Sequence, residues 1–309
     1  MNHRQRTASG LVAAVVTGSL VLGIAPAASA TGDPSAVERT AAVVERATGT
    51  HGLAPTVGGT AVTDGEAGRV SVTVPDTSDG AVEATAADGT TVALGLPQTR
   101  DVTGVQAGAG TVVYPDAAPA TDIAVQATTD GGARAITTLK NTEAPTEQRY
   151  ELDLPAGTEA VANDTGGYDL VRPVDDGIAV AVGRIDAPWA KDARGNPVAT
   201  GYRLEGDNLV QTVETTKDTA FPVVADPKVT WGIVTGTIYF DRGETRGIAL
   251  GGGLGATAIA AIPGGITTVV GITMAAITAR AAAAYDRGRC LKIKLPAVYP
   301  DHYAGGYCR

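Results

Sequence analysis

The two cysteines, Cys290 and Cys308, are the residues best suited to covalent chemistry, and both lie in the last 20 residues of the 309-residue sequence. A catalytic thiol would need a base and a structural zinc site would need four ligands, whereas His302 is the only imidazole nearby. Two cysteines in an exported chain most simply form one disulfide. We therefore predict a Cys290–Cys308 disulfide, and neither a catalytic cysteine nor a metal site.

Other residues suited to hydrolysis are few. All serines lie within the first 78 residues, and no Gly-x-Ser-x-Gly motif surrounds any of them. The acidic pairs Glu151/Asp153 and Asp175/Asp176 could support glycoside chemistry if they met across a cleft. Because residues 31–227 contain 29 acidic residues, chance pairs are expected. We expect no catalytic residue and no cofactor, with a cell-wall-directed hydrolase that uses acidic residues as a distant alternative.

Three tyrosines recur every four residues near the C-terminus, at Tyr299, Tyr303 and Tyr307, close in sequence to Lys292 and Lys294. Tyrosine joins an apolar ring to a polar hydroxyl, so this mixture with basic residues suits a membrane interface or a glycan surface. The alternative is that the rings cover neighbouring helices inside the protein. Both interpretations stay open on the sequence alone, and these five residues form a predicted surface contact.

A long apolar stretch precedes these residues. The 33 residues from Gly247 to Ala279 carry no charge, and Pro263-Gly264-Gly265 divides them into halves of about 15 residues. Each half would span roughly 22 Å as a helix, less than the roughly 30 Å core of a bilayer, which favours a helical hairpin over membrane-spanning helices. Small residues at every fourth position predict close packing of the two helices. The predicted packing residues are Gly247, Gly251, Gly255, Gly271 and Ala275.

Residues 1–30 have the features of a secretory signal. Arg4 and Arg6 give a positive start, a largely apolar run follows over 11–24, and Ala28-Ser29-Ala30 offers the small-x-small pattern that signal peptidase needs. We expect cleavage between Ala30 and Thr31 and a secreted, extracellular protein.

Charge is divided unevenly along the chain. Residues 31–227 carry 13 basic and 29 acidic residues, a net charge of −16, whereas residues 228–309 carry nine basic and four acidic residues, a net charge of +5. This division predicts two regions with different surroundings or partners. The basic region suits an anionic membrane or a cell-wall polymer, and its sparse positive charge on an exported protein argues against nucleic acid.

Local patterns predict a mainly β protein with a smaller α+β tail. Val37, Ala41 and Val44 lie on one face of a predicted helix over 35–48. Short Val- and Thr-rich runs then alternate with breaks such as Asp88-Gly89 and Asp130-Gly131, as in an antiparallel β-sandwich. The predicted strands are 69–74, 81–86, 91–96, 121–129, 133–140, 148–154, 167–172, 177–185, 200–205, 208–214, 229–240 and 290–295.

These patterns divide the chain into four predicted parts. They are a signal peptide (1–30), an N-terminal helix and linker (31–57), an acidic β-rich module resembling an antiparallel sandwich (58–226), and a basic C-terminal domain of strand, helical hairpin and strand with one disulfide (227–309).

Several motifs resemble those of a known group of proteins. The segment 114–141, followed by APWAKDARGNPV at 187–198 and FPVVADP at 221–227, resembles a β-rich module of secreted proteins from high-GC Gram-positive (actinobacterial) bacteria. The tail, which ends in YAGGYCR, resembles the C-terminal region of uncharacterised secreted proteins from the same bacteria. The resemblance implies a secreted β-rich protein and carries no reaction or site residue.

These observations favour a secreted, non-enzymatic protein. We expect its C-terminal apolar hairpin to contact a membrane or a protein partner, a role that includes bacteriocin-like or toxin-like action, with the β module as a spacer or pro-region. The alternative is a secreted structural or cell-surface interaction protein in which the hairpin is ordinary core.

Overall fold

The computed structural model describes residues 34–65, 68–232, 237–254, 274–294 and 298–309, so the predicted signal peptide lies outside the described residues. The described chain is mainly β, as predicted, with three helices: α1 (Pro34–Thr48), α2 (Arg242–Ala249) and α3 (Met274–Asp286). The strands are β1 (Thr60–Gly65), β2 (Gly68–Thr73), β3 (Ala81–Ala86), β4 (Thr91–Gly95), β5 (Val105–Ala107), β6 (Thr111–Ala118), β7 (Thr121–Ala127), β8 (Gly132–Leu139), β9 (Glu147–Asp153), β10 (Glu159–Ala162), β11 (Tyr168–Asp175), β12 (Ile178–Ile185), β13 (Ala190–Lys191), β14 (Ala199–Glu205), β15 (Asn208–Glu214), β16 (Val223–Ala225), β17 (Lys228–Trp231), β18 (Thr237–Phe240), β19 (Cys290–Lys294) and β20 (Tyr299–Tyr303).

The strands form two antiparallel sheets. The smaller sheet has seven strands in the order β1-β2-β3-β4-β9-β15-β14. The larger sheet follows the path β20-β19-β18-β12-β17-β8-β7-β6-β5, with β10 and β11 added beside β12 and β13 and β16 added beside β8. The predicted turns join β3 to β4 and β7 to β8, and both need glycine because Gly89 and Gly131 have φ values of 81° and 80°.

A hydrophobic core fills the space between the two sheets. Tyr150 and Leu152 enter it from the smaller sheet, and Ile123 and Val125 enter it from the larger sheet. Trp231 in β17 is only 1% exposed, and its Nε1–H donates a hydrogen bond to the Thr90 carbonyl oxygen at 3.1 Å. The arrangement confirms the predicted sandwich, because side chains at alternate positions of each strand share one interior.

Helix α1 covers the other face of the larger sheet. Its residues Val37, Ala41 and Val44 are buried, as predicted, and they pack against Ala124 and Ile136 of β7 and β8. In β7 the neighbours of Ala124 belong to the core between the sheets, so the strand has apolar residues on both faces.

The boundary predicted near residue 226 falls inside the larger sheet. Strand β17 begins two residues later and lies between β8 and β12, with Lys228 opposite Arg134 and Val229 opposite Ile185. The predicted strand over 229–240 is divided into β17 and β18, and β18 also pairs with β12. The acidic and basic parts therefore share one sheet and one core, because interstrand hydrogen bonds connect strands on the two sides of residue 226.

Candidate functional site

Helix α2 is fixed to the larger sheet along its inner face. Asp241 caps its first turn, because Asp241 Oδ1 accepts a hydrogen bond from the Glu244 N–H at 2.7 Å. Thr245 is buried, and its Oγ1 accepts a hydrogen bond from the Leu291 N–H of β19 at 2.9 Å. Ile248, on the same face of the helix, is buried in the core between the sheets. These contacts hold α2 in one orientation.

The outer face of α2 leads to an exposed leucine. Gly243, Arg246, Gly247 and Leu250 are exposed and follow the i, i+3, i+4, i+7 spacing of one helix face. Leu250, the residue after the helix, is 78% exposed. Gly251 then turns the chain with a φ of 91°.

Helix α3 presents apolar residues to the solvent. Ile277, Ala281 and Ala284 are buried, and the Arg242 guanidinium of α2 lies over the Tyr285 ring at 4.9 Å from its centroid. The exposed positions in the first two turns are Met274, Ala275, Ala276 and Ala279, and Met274 is 44% exposed. A surface helix normally carries polar residues on its outer face, so this apolar outer face calls for a functional explanation.

The predicted hairpin packing residues occupy different surroundings. Gly255 and Gly271 lie outside the described residues. Gly247, Gly251 and Ala275 are exposed, and a Cβ atom added to either glycine would meet no described atom within 4 Å. Helices α2 and α3 do pack against each other, but these three positions lie on the outside of the pair. None of the helices in the described ranges is long and apolar enough to cross a membrane.

Two of the three tyrosines in the predicted surface contact lie inside the protein. Tyr303 and Tyr307 are buried, and the Tyr303 hydroxyl donates a hydrogen bond to the Phe240 carbonyl oxygen at 3.0 Å. The Tyr303 ring meets the Tyr239 ring edge-on, with centroids 4.8 Å apart. Tyr299 alone is largely exposed. The structure therefore agrees with the alternative in which the rings cover the interior, because β20 pairs with β19 inside the sheet.

The two lysines of the predicted surface contact are paired with acidic residues. The Lys292 side chain is only 3% exposed, and its Nζ lies 2.7 Å from Asp164 Oδ2. Lys294 Nζ lies 3.3 Å from the same oxygen and 3.4 Å from Asp301 Oδ2. The hydrogen bond from Lys292 lowers the pKa of the Asp164 carboxyl, which keeps it ionised. Neither lysine offers an unpaired charge to an anionic partner.

The predicted disulfide is confirmed. Cys290 Sγ and Cys308 Sγ are bonded, with 5.5 Å between the two Cα atoms, and the bridge ties the start of β19 to the C-terminus.

We expect reduction of this disulfide to lower the free energy of unfolding by about 3 kcal/mol, because 18 residues separate the cysteines. Urea unfolding with and without reductant measures the loss. The Cys290→Ala/Cys308→Ala variant is the control, since reductant should leave its transition unchanged. Alkylation of both thiols in the folded, unreduced protein would contradict the assignment.

The motifs that carry the resemblance lie side by side in the structure. Strand β13 of APWAKDARGNPV pairs with β16 of FPVVADP. Asp192 accepts hydrogen bonds from the backbone N–H groups of Arg194 and Asn196 at 2.9 Å and of Ala220 at 3.4 Å. Burial alone would raise the pKa of Asp192, yet the hydrogen bonds from Asn196, Arg194 and Ala220 lower it to about 2. Asp192 is therefore a structural carboxylate that joins the two motifs.

Asp226, at the end of β16, is a fully buried carboxyl. Its Oδ1 accepts hydrogen bonds from the Trp189 N–H at 2.9 Å and the Tyr202 hydroxyl at 3.1 Å. Its Oδ2, the Tyr150 hydroxyl and Gln211 Oε1 are buried without a hydrogen-bond partner among the described residues. Burial raises the pKa of Asp226 to about 7. The sequence analysis treated this residue only as a boundary, and the FPVVADP motif was its only signal.

The acidic pairs considered for hydrolysis are exposed. Glu151 and Asp153 lie on the exposed side of β9, and Asp175 and Asp176 lie where β11 turns into β12. Within the described ranges, His, Cys, Asp and Glu residues form no group of three that could hold a metal ion. No protein-family model, curated protein or solved structure matches the chain.

Proposed function

We propose that this protein is an exported, non-enzymatic member of the actinobacterial secreted proteins that it resembles, and that it contacts membranes through residues 255–273, named here the apolar segment. One observation carries the proposal. Leu250 and Met274, both exposed, stand on the two sides of the apolar segment. The segment itself contains 19 residues, none of them charged and six of them isoleucine or valine. Exposed apolar side chains that lead into an uncharged stretch favour contact with lipid.

The β-sandwich is, in this proposal, the support for the apolar segment. Helix α2 leads into the segment and is attached to β19 through Thr245, and α3 follows the segment and contacts α2 through Tyr285. Because β17 lies between β8 and β12, the body is an integral support rather than a removable pro-region.

The second candidate is a secreted structural or cell-surface interaction protein with the helix pair as ordinary core. The buried positions of Lys292, Tyr303 and Tyr307 favour it, because they leave fewer residues available for a lipid surface.

The variant Val270→Asp separates the two candidates. If the apolar segment contacts lipid, the charge should reduce binding of the full chain to mixed phosphatidylcholine–phosphatidylglycerol vesicles by at least tenfold, because an aspartate in the apolar layer costs roughly 2.5–3.5 kcal/mol. The unfolding midpoint should stay unchanged. The measurement is cosedimentation with vesicles, together with urea unfolding.

The matched control is Val57→Asp, which places the same charge at a residue that is 83% exposed. It should bind vesicles as the unchanged chain does. If Val270→Asp instead unfolds at much lower urea and the unchanged chain binds no vesicles, the segment belongs to the core and the second candidate holds.

A further inference from the structure

Two arginines lie close behind the exposed apolar ends of the helix pair. Arg246 precedes Leu250 by four residues on the same exposed helix face, which places it roughly 6 Å back along the axis of α2. Arg280 follows Met274 by six residues, roughly 9 Å along α3, and it follows the exposed Ala276 by four. Both helices therefore have the same order, with an apolar end next to the apolar segment and a cation behind it.

These two arginines differ from the other basic residues of the C-terminal part. Lys228, Lys292 and Arg309 each form an ion pair with an aspartate or glutamate of the acidic part. Across the described ranges, Arg246 and Arg280 make no side-chain hydrogen bond or ion pair with another described residue. Their charges remain available to an external anion.

We infer that the outer surface of α2 and α3 binds the headgroups of anionic phospholipids, with Arg246 and Arg280 as the contacting residues. The inference rests on the proposed membrane contact. The apolar side of an interfacial helix enters the bilayer by roughly 5–10 Å. If Leu250 and Met274 lie at that depth, the guanidinium groups, roughly 6 and 9 Å behind them, reach the phosphate level. Long arginine side chains extend toward headgroups in this manner.

The acidic body does not cancel this attraction at physiological salt. The net charge of −16 belongs to residues 31–227, and charges beyond the Debye length of about 8 Å are largely screened at 0.15 M salt. The groups closest to the lipid therefore decide the sign of the interaction, and the described groups nearest the apolar segment are Arg246 and Arg280 in sequence. Anionic lipid is accordingly preferred over zwitterionic lipid.

The test compares three forms of the full chain on two kinds of vesicle. The forms are the unchanged protein, Arg246→Gln/Arg280→Gln, and the control Arg100→Gln/Lys217→Gln, which removes two exposed positive charges from the acidic part. The vesicles are pure phosphatidylcholine and phosphatidylcholine with phosphatidylglycerol. We expect the unchanged protein and the control to prefer anionic vesicles, and the Arg246/Arg280 variant to bind them roughly thirtyfold more weakly.

Three results would overturn the inference. Equal binding of the unchanged protein to both vesicles would remove the lipid preference but leave the proposed membrane contact intact. Unchanged anionic binding by Arg246→Gln/Arg280→Gln would assign the preference to other residues and would also leave the proposed function standing. Failure of the unchanged protein to bind either vesicle would overturn both. Urea unfolding of each variant, expected to match the unchanged chain, confirms that the substitutions act at the surface.

Discussion

A chain that ends at Asp226 should fail to form a cooperatively folded sandwich, although the sequence predicts that this part is a separate module. The truncation removes β17 from between β8 and β12, which leaves unpaired edges in the middle of the larger sheet. It also removes Trp231 and Phe240 from the core between the sheets. Unpaired interior strands and exposed core residues are both unfavourable in water.

The energetic effect exceeds what the protein can tolerate. Several large buried apolar side chains lie beyond residue 226, namely Val229, Trp231, Ile238, Phe240, Ile248, Leu291 and Ile293. Burial of each contributes roughly 1.5–3 kcal/mol, and a domain has a net stability of only about 5–15 kcal/mol. Circular dichroism and urea unfolding of the truncated and full chains measure the loss.

Adding a separate polypeptide of residues 227–309 should restore the transition, because it supplies the missing strands. A truncated chain that unfolds cooperatively, with a free energy close to that of the full chain, would show that the acidic part has its own complete core.

The charge division along the sequence illustrates why the shared sheet was not predicted. A net charge of −16 beside one of +5 suggests two independent regions. In the structure, Lys228 Nζ lies 2.5 Å from Asp130 Oδ2, and Arg309 forms an ion pair with Glu159. The opposite charges face each other across one fold. Composition reports the sign of each region, but only the strand pairing shows where the two regions meet.

Local turn chemistry explains the parts of the fold that were predicted. The run 81–86 matches the bounds of β3, and the turn at Asp88-Gly89 connects it to β4, because the required φ favours glycine. The partner of β17 has no comparable local signal. Lys228 and Arg134 are opposite each other in the sheet although 94 residues separate them in sequence. Pairing over such a distance follows from the whole core rather than from nearby residues.

The predicted surface contact was wrong for three of its five residues for a related reason. The spacing of Tyr299, Tyr303 and Tyr307 gives no information on whether a sheet or solvent covers them. Tyr303 is buried because its strand β20 pairs with β19 and its ring meets Tyr239, which lies 64 residues earlier. Leu250 and Arg246, by contrast, are placed by the local periodicity of α2. Surface residues of helices were therefore accessible to sequence analysis, and residues of strands needed the sheet.

Replacement of Asp226 by asparagine should stabilise the protein at alkaline pH and leave it nearly unchanged at acid pH. The carboxyl is fully buried, and burial raises its pKa to about 7 in the folded protein, against about 3.9 in an unfolded chain. Between these values the folded state binds the proton more tightly than the unfolded state. Its contribution to stability is therefore fully present below about pH 4 and is lost as the pH rises to 7.

The groups around Asp226 support this direction. Tyr150 and Tyr202 are buried beside it and keep their hydroxyl protons, because burial raises the pKa of each tyrosine. Asp186 adds a negative charge that raises the pKa of Asp226 further, after burial as the main cause. Asparagine keeps an oxygen that can accept from the Trp189 N–H and the Tyr202 hydroxyl, and it carries no charge at any pH.

The difference between the two proteins should reach roughly 4 kcal/mol above pH 7, because a pKa difference of about three units corresponds to that free energy. Urea unfolding of the unchanged chain and Asp226→Asn at pH 4 to 8 measures it, with Asp101→Asn as the control for an exposed aspartate. The control should parallel the unchanged chain at every pH. If Asp226→Asn loses stability equally across the range, the ionised carboxylate supports the fold. If its pH dependence matches that of the unchanged chain, another group carries the proton, and Asp226 is a fixed structural acceptor for Trp189 and Tyr202.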